Sequence, residues 1–182
     1  YIKFFIVTIL FSLSLSQEYF QVDFDNTGVS QLIIFQDSIT ALENGDEIGI
    51  FDNNAILNSG DCSSQTGEAL VGAGVWSGSQ TELVSVGSID NCAFGGFQLP
   101  GFVNGNSVNI KVYRPSTGVE YSATSTWSAG TGTFGDLFMA VSDMDLESLE
   151  EVCEDDNDAT SAFGGCEAAV AALGCDFVFG GS

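Results

Sequence analysis

Six oxygen-bearing side chains, Asp52, Asn53, Asn54, Asn58, Asp61 and Glu68, fall within a 17-residue window around Gly60. Calcium takes six to eight oxygen ligands from such groups, so Asp52, Asn54, Asn58, Asp61 and Glu68 form the candidate metal set. The spacing is not that of an EF-hand, because Ile56 and Leu57 stand where that loop needs ligands and glycine. Asn and Asp are equally the ordinary residues of turns, which is the alternative reading of the same window. Calcium is the one cofactor the sequence suggests.

Two carboxylate pairs, Asp46 with Glu47 and Asp52 with Glu68, could serve a glycosidase. That chemistry needs two acids at a set separation across a cleft, one with a raised pKa. A sandwich of about 130 residues without long loops offers little room for such a cleft. The chain contains no His at all. Without one, zinc hydrolases and Ser-His or Cys-His nucleophiles are excluded unless another chain supplies the imidazole. Gly95-Gly96 and Gly132 are not a phosphate cradle, since no strand-to-helix context and no following Lys accompany them. Trp76, Tyr113, Tyr121 and Trp127 are the candidate platforms for stacking on sugar rings. A packing role on a strand face or in the core is the competing assignment for each.

Five cysteines are present, Cys62, Cys92, Cys153, Cys166 and Cys175. Cys62 and Cys92 are flanked by Asp61 and Asp90, whose charges oppose a reactive thiolate. A Cys62–Cys92 disulfide is therefore expected. An odd count implies a missing partner or a free thiol, and the ending Phe-Gly-Gly-Ser suggests that the C-terminal portion continues further.

These residues must be positioned by elements that the hydropathy pattern outlines. Lys3 followed by the apolar run Phe4 to Leu15, with Ser14 and Ser16 at the positions a signal peptidase reads, marks residues 1–16 as a signal peptide. Cleavage is expected just after Ser16 or Gln17. A 12-residue run is too short for a transmembrane helix, which needs about 20 apolar residues. Residues 17–142 read as an all-β domain. Phe20, Val22 and Phe24 alternate with Gln21, Asp23 and Asp25, and Val108, Ile110 and Val112 with Asn109, Lys111 and Tyr113. Turn signals at Asn26-Thr27-Gly28, Asn44-Gly45 and Pro115-Ser116-Thr117-Gly118 separate about eight strands, the last at Leu137 to Val141. The expected fold is an antiparallel β-sandwich, immunoglobulin-like or jelly-roll-like. Nine carboxylates and no base between Asp143 and Asp158 predict a solvated acidic linker over 143–152. Residues 153–182 read as the start of a disulfide-rich module, with a short helix over Ser161 to Leu173 ended by Gly174.

Three blocks together resemble a β-sandwich module found in large secreted surface proteins of marine Bacteroidetes-like bacteria. They are Leu42-Glu43-Asn44-Gly45-Asp46-Glu47-Ile48-Gly49-Ile50-Phe51-Asp52, then Gly67-Glu68-Ala69-Leu70-Val71-Gly72-Ala73-Gly74-Val75-Trp76, then Pro100-Gly101-Phe102-Val103-Asn104-Gly105-Asn106. The resemblance implies extracellular placement, tandem modules and type IX export. It implies no catalytic residue. The spacing of Cys153, Cys166 and Cys175 is similar to the start of a six-cysteine ShK toxin-like repeat.

The net charge of −22 repels phosphate backbones and anionic membranes, so nucleic acid is excluded as a partner. The expected function is a non-catalytic, secreted or cell-surface module for adhesion, spacing or ligand binding. Its partner would be a polysaccharide or another surface protein. A carbohydrate-binding module of a secreted degradative enzyme is the alternative, and a small glycoside hydrolase the second.

Overall fold

The structure is a computed structural model that describes residues 17–149. The expected signal peptide over 1–16, the expected linker beyond 149 and the expected disulfide-rich module over 153–182 lie outside that range. The class is all-β, as the alternation predicts. The strands are β1 (Ser30–Phe35), β2 (Glu47–Ile56), β3 (Thr66–Val75), β4 (Thr81–Val86), β5 (Ile89–Asp90), β6 (Gln98–Leu99), β7 (Asn109–Arg114), β8 (Val119–Ala129) and β9 (Met139–Ser148). A single 3-10 turn, Cys92–Phe94, lies between β5 and β6.

Seven strands form one sheet in the order β3-β2-β7-β8-β9-β1-β4, and β5 pairs with β6 separately. Every neighbouring pair is antiparallel except β1 with β9, which is parallel. The sheet curls until its two end strands, β3 and β4, lie side by side. The roll thus encloses the apolar faces and protects its edges without full closure.

The core follows from period-two side-chain alternation. Ile33 and Phe35 of β1, Ile48 and Ile50 of β2, Ile110 and Val112 of β7, and Met139 and Val141 of β9 all point inward. Phe102 and Phe134 stack inside, with ring centroids 4.4 Å apart. Strand β8 is rich in Ser and Thr and stays half-exposed, with Tyr121, Ala123 and Trp127 packing against the core from its inner face.

Two segments differ from the sequence reading. Residues 20–25 keep the alternating burial of a strand but form no strand ladder. The amides of Glu18, Tyr19 and Phe20 instead donate to the Glu47 carboxylate, so a side chain satisfies the groups that a neighbouring strand would have taken. The final strand begins at Met139, leaving Leu137 exposed, and runs on through Asp143, Asp145 and Glu147 to Ser148. Residues 143–148 are therefore strand and not linker. Their carboxylates point to solvent while Met144 and Leu146 pack inward, and the β8 ladder supplies the backbone bonds.

Candidate functional site

The strands' directions bring the 57–65 loop, the β5–β6 hairpin, the 100–108 segment and the β8–β9 connection to one end of the sheet. A disulfide between Cys62 and Cys92, with Cα atoms 5.9 Å apart, ties the first two together as expected. Gln98 completes the brace. It is buried, and its Oε1 accepts from Asn58 Nδ2 and Ser64 N at 3.0 Å each. Its Nε2 donates to Asp90 Oδ2 at 3.0 Å, and its backbone pairs with Gly60 and Asp61. Sequence reasoning passed over Gln98, because a lone Gln between Phe97 and Leu99 carries no spacing signal.

The five candidate calcium ligands are divided among separate networks. Asp52 is buried, and both its oxygens are taken by donors: Asn54 N at 2.8 Å, Val103 N at 2.8 Å and Asn106 Nδ2 at 2.9 and 3.0 Å. N–H groups aimed at a carboxylate occupy the lone pairs a cation would use and repel it. Asn54 is exposed and its carbonyl accepts from Asn106 Nδ2. Asn58 and Asp61 belong to the Gln98 brace, where Asp61 Oδ1 accepts from Asn58 Nδ2, Ser63 N and Ser63 Oγ. Glu68 lies on exposed β3 and pairs with Lys111 Nζ at 3.0 Å. Among the described residues no three acidic or sulfur groups converge for a metal ion. Turn chemistry and strand-to-loop ties account for these residues.

The aromatic candidates separate similarly. Trp76 is 2% exposed and belongs to the core, so it is no sugar platform. Its backbone exchanges hydrogen bonds with Gly45 and Asp46, which fixes the indole inside. Tyr121 pairs across the ladder with inward-facing Val112, so it faces the core with the Arg114 guanidinium 5.3 Å from its ring. Trp127 also packs against the core. Tyr113 does point outward, but the ring of Tyr19 lies flat on it at 3.8 Å. Tyr19, missed in the sequence, is the half-exposed aromatic of this face. Its hydroxyl donates to Glu120 Oε2 at 2.7 Å, and that bond pushes its pKa above the ordinary phenol value.

The proposed acid pairs do not face each other across a cleft. Asp46 receives the Arg114 guanidinium, with Nη2 at 2.8 Å from Oδ2 and Nε at 3.1 Å from Oδ1. Glu47 holds the amides of residues 18–20. Each buried acid therefore accepts from fixed donors that would otherwise be unpaired.

At the loop end the apolar tips remain in water. Phe94 and Leu137 are 91% and 93% exposed, and Phe97 and Phe138 are about half exposed. Beside them, residues 23–27 and Leu57, Ser59, Leu99 and Pro100 border a cavity of about 440 Å³. Comparison with protein-family models, with curated proteins and with solved structures gives no match for this chain.

Proposed function

We propose that this chain is a non-catalytic, secreted or cell-surface module that binds a partner through the braced loop end of its β-roll. The observation that carries the reading is the pair of fully exposed apolar tips, Phe94 and Leu137, on connections at the same end. Large apolar side chains held in water at a fixed position mark interaction surfaces. The disulfide and Gln98 brace keep one of those connections ordered before binding, which lowers the entropic cost of association. A disulfide also suits an oxidising compartment. Among the described residues no helix is long and apolar enough to cross a membrane. The likeness to secreted marine-bacterial modules supports the same placement and rests on the three sequence blocks.

Retention on a panel of insoluble polysaccharides and immobilised cell-surface proteins, scored together with release of reducing ends, tests this. The expected result is retention on one surface without reducing-end release. Phe94→Ser with Phe97→Ser should weaken retention about tenfold at an unchanged Tm. Absence of retention everywhere, or sugar release abolished by an acid-to-amide substitution, would overturn it.

The second reading is a carbohydrate-binding module, and the Tyr19–Tyr113 stack favours it. The outer face of Tyr19 offers a flat ring beside Glu18, Glu47 and Pro115. Retention on polysaccharide that is lost in Tyr19→Ala and kept in the Phe94/Phe97 variant selects this reading over the first.

A further inference from the structure

The cavity at the loop end combines an apolar lining with carboxylates. Its apolar lining comes from Phe24, Leu57, Leu99 and Pro100, and its charged lining from Asp23 and Asp25. Phe24 packs against the core, which fixes the floor. Asp23 and Asp25 flank it on the alternate, exposed positions.

The charge of the molecule decides what this cavity takes. The chain has 25 acidic side chains and three basic ones. The two described bases are already committed elsewhere. Lys111 pairs with Glu68 and Glu120, and Arg114 with Asp46 and Glu43. Among the described residues, neither Asp23 nor Asp25 makes a hydrogen bond or ion pair. Of the other polar lining groups, Asn26 and Thr27 serve the turn itself. Asn26 Oδ1 accepts from Gly28 N, and Thr27 Oγ1 donates to Gly87 O and accepts from Val29 N. A neutral sugar would therefore find few free donors, and an anion would meet two carboxylates.

We infer that this cavity receives a lysine side chain from a partner protein, with the methylene stem on Phe24, Leu57, Leu99 and Pro100 and the ammonium between Asp23 and Asp25. A lysine suits such a site because its four-carbon stem covers apolar surface while its head stays at the polar rim. Either half alone is weak: exposed ion pairs contribute little, and a short aliphatic stem is small. The site needs both, and both are present. The inference rests on the reading of the loop end as a binding surface and assigns the chemistry of its partner.

The test is a calorimetric titration of the whole chain with a lysine-containing hexapeptide, with the same peptide acetylated on lysine, and with n-butylamine. The lysine peptide should bind about tenfold more tightly than its acetylated form, because acetylation removes the charge and keeps the stem. Asp23→Asn with Asp25→Asn should abolish that preference at an unchanged Tm. Asp143→Asn with Asp145→Asn, a control for general acidity, should retain it. Equal binding of the acetylated peptide, no effect of the Asp23/Asp25 variant, or an equal effect of the control would overturn the inference. Butylamine binding as tightly as the peptide would overturn the protein source in favour of a free amine. Retention on a partner surface that survives Asp23→Asn/Asp25→Asn but is lost in the Phe94/Phe97 variant would leave the binding-module reading standing and remove this site.

Discussion

Asp46 shows how a carboxylate that looks reactive in sequence becomes structural once its neighbours are known. Arg114 donates to it through two nitrogens and adds a bond from Nη2 to Ala41 O at 2.9 Å. The bond to Asp46 raises the guanidinium pKa above its ordinary value, so Arg114 stays charged. Asp46 is 1% exposed and the Arg114 side chain 14%, so removing Asp46 leaves the guanidinium only exposed Glu43 and Ala41 O, and removing Arg114 leaves the buried carboxylate only the Glu43 amide. Asp46→Ala should lower unfolding free energy by about 3 kcal/mol. The Asp46→Ala/Arg114→Met pair should cost less than the sum of its single changes. Urea denaturation of the four proteins measures the coupling, and strict additivity would contradict this account. The acidic pair itself was legible in the sequence. Its donors were not, because Arg114 lies 68 residues away and only the β2–β7 pairing brings it near.

At the scale of elements, the hairpin carrying Phe94 depends on bonds that hydropathy does not encode. Closing a loop of 30 residues contributes about 3–4 kcal/mol in the chain-entropy model, so Cys62→Ser with Cys92→Ser should destabilise by that order. Asp61 and Asp90 flank the bridge. Ser63 N–H holds Asp61 below the usual carboxylate range, and Cys92 N–H followed by the Gln98 amide does the same for Asp90. With folded pKa values depressed, their contribution is in place above the unfolded value of 3.8 and is lost as pH falls through the folded values. In the Cys62→Ser/Cys92→Ser variant, amide-exchange protection at Gly60 and Gln98 should fall on acidification sooner than at Ile50 and Val112. Parallel loss at all four amides would show that the hairpin has no separate acid sensitivity. The turn at Pro115–Gly118 and the alternation of β7 were readable, since local residues dictate both. Residues 20–25 kept the burial pattern without a ladder, and the Glu47 carboxylate takes the amides of residues 18–20 where that segment begins.

For the whole molecule, the seam between β3 and β4 determines how tightly the sheet can roll. A Cβ on Gly72 would lie 2.9 Å from Val84 O and 3.1 Å from the Ser85 Cα, so the strands approach this closely only because residue 72 has no side chain. Ser85 is buried at the same seam. Gly72→Val should destabilise by about 2–3 kcal/mol through overpacking, although Val is the better strand former. Thermal melting checks this, and a Tm equal to that of the parent would mean that the seam relaxes freely. Gly72 was visible in the sequence as one glycine in a Gly-rich strand. Its role was not, since β3 and β4 meet through the curl of a seven-stranded sheet and not through a pattern in either strand.

The sequence by itself determined the all-β class, the inward face of β7, and the turn after Arg114. It also pointed to the Cys62–Cys92 bridge. Each depends on residue type or on period-two alternation, which the chain carries locally. Tertiary structure alone decided which acids are bound by donors, which aromatic is core and which is surface, and which apolar tips stand together at one end. Those outcomes depend on residues tens of positions apart, such as Glu47 with the amides of 18–20, Tyr19 with Tyr113, and Asp52 with Asn106. A carboxylate has the same identity in sequence whether it meets water, a guanidinium or an amide, and only the fold chooses among them.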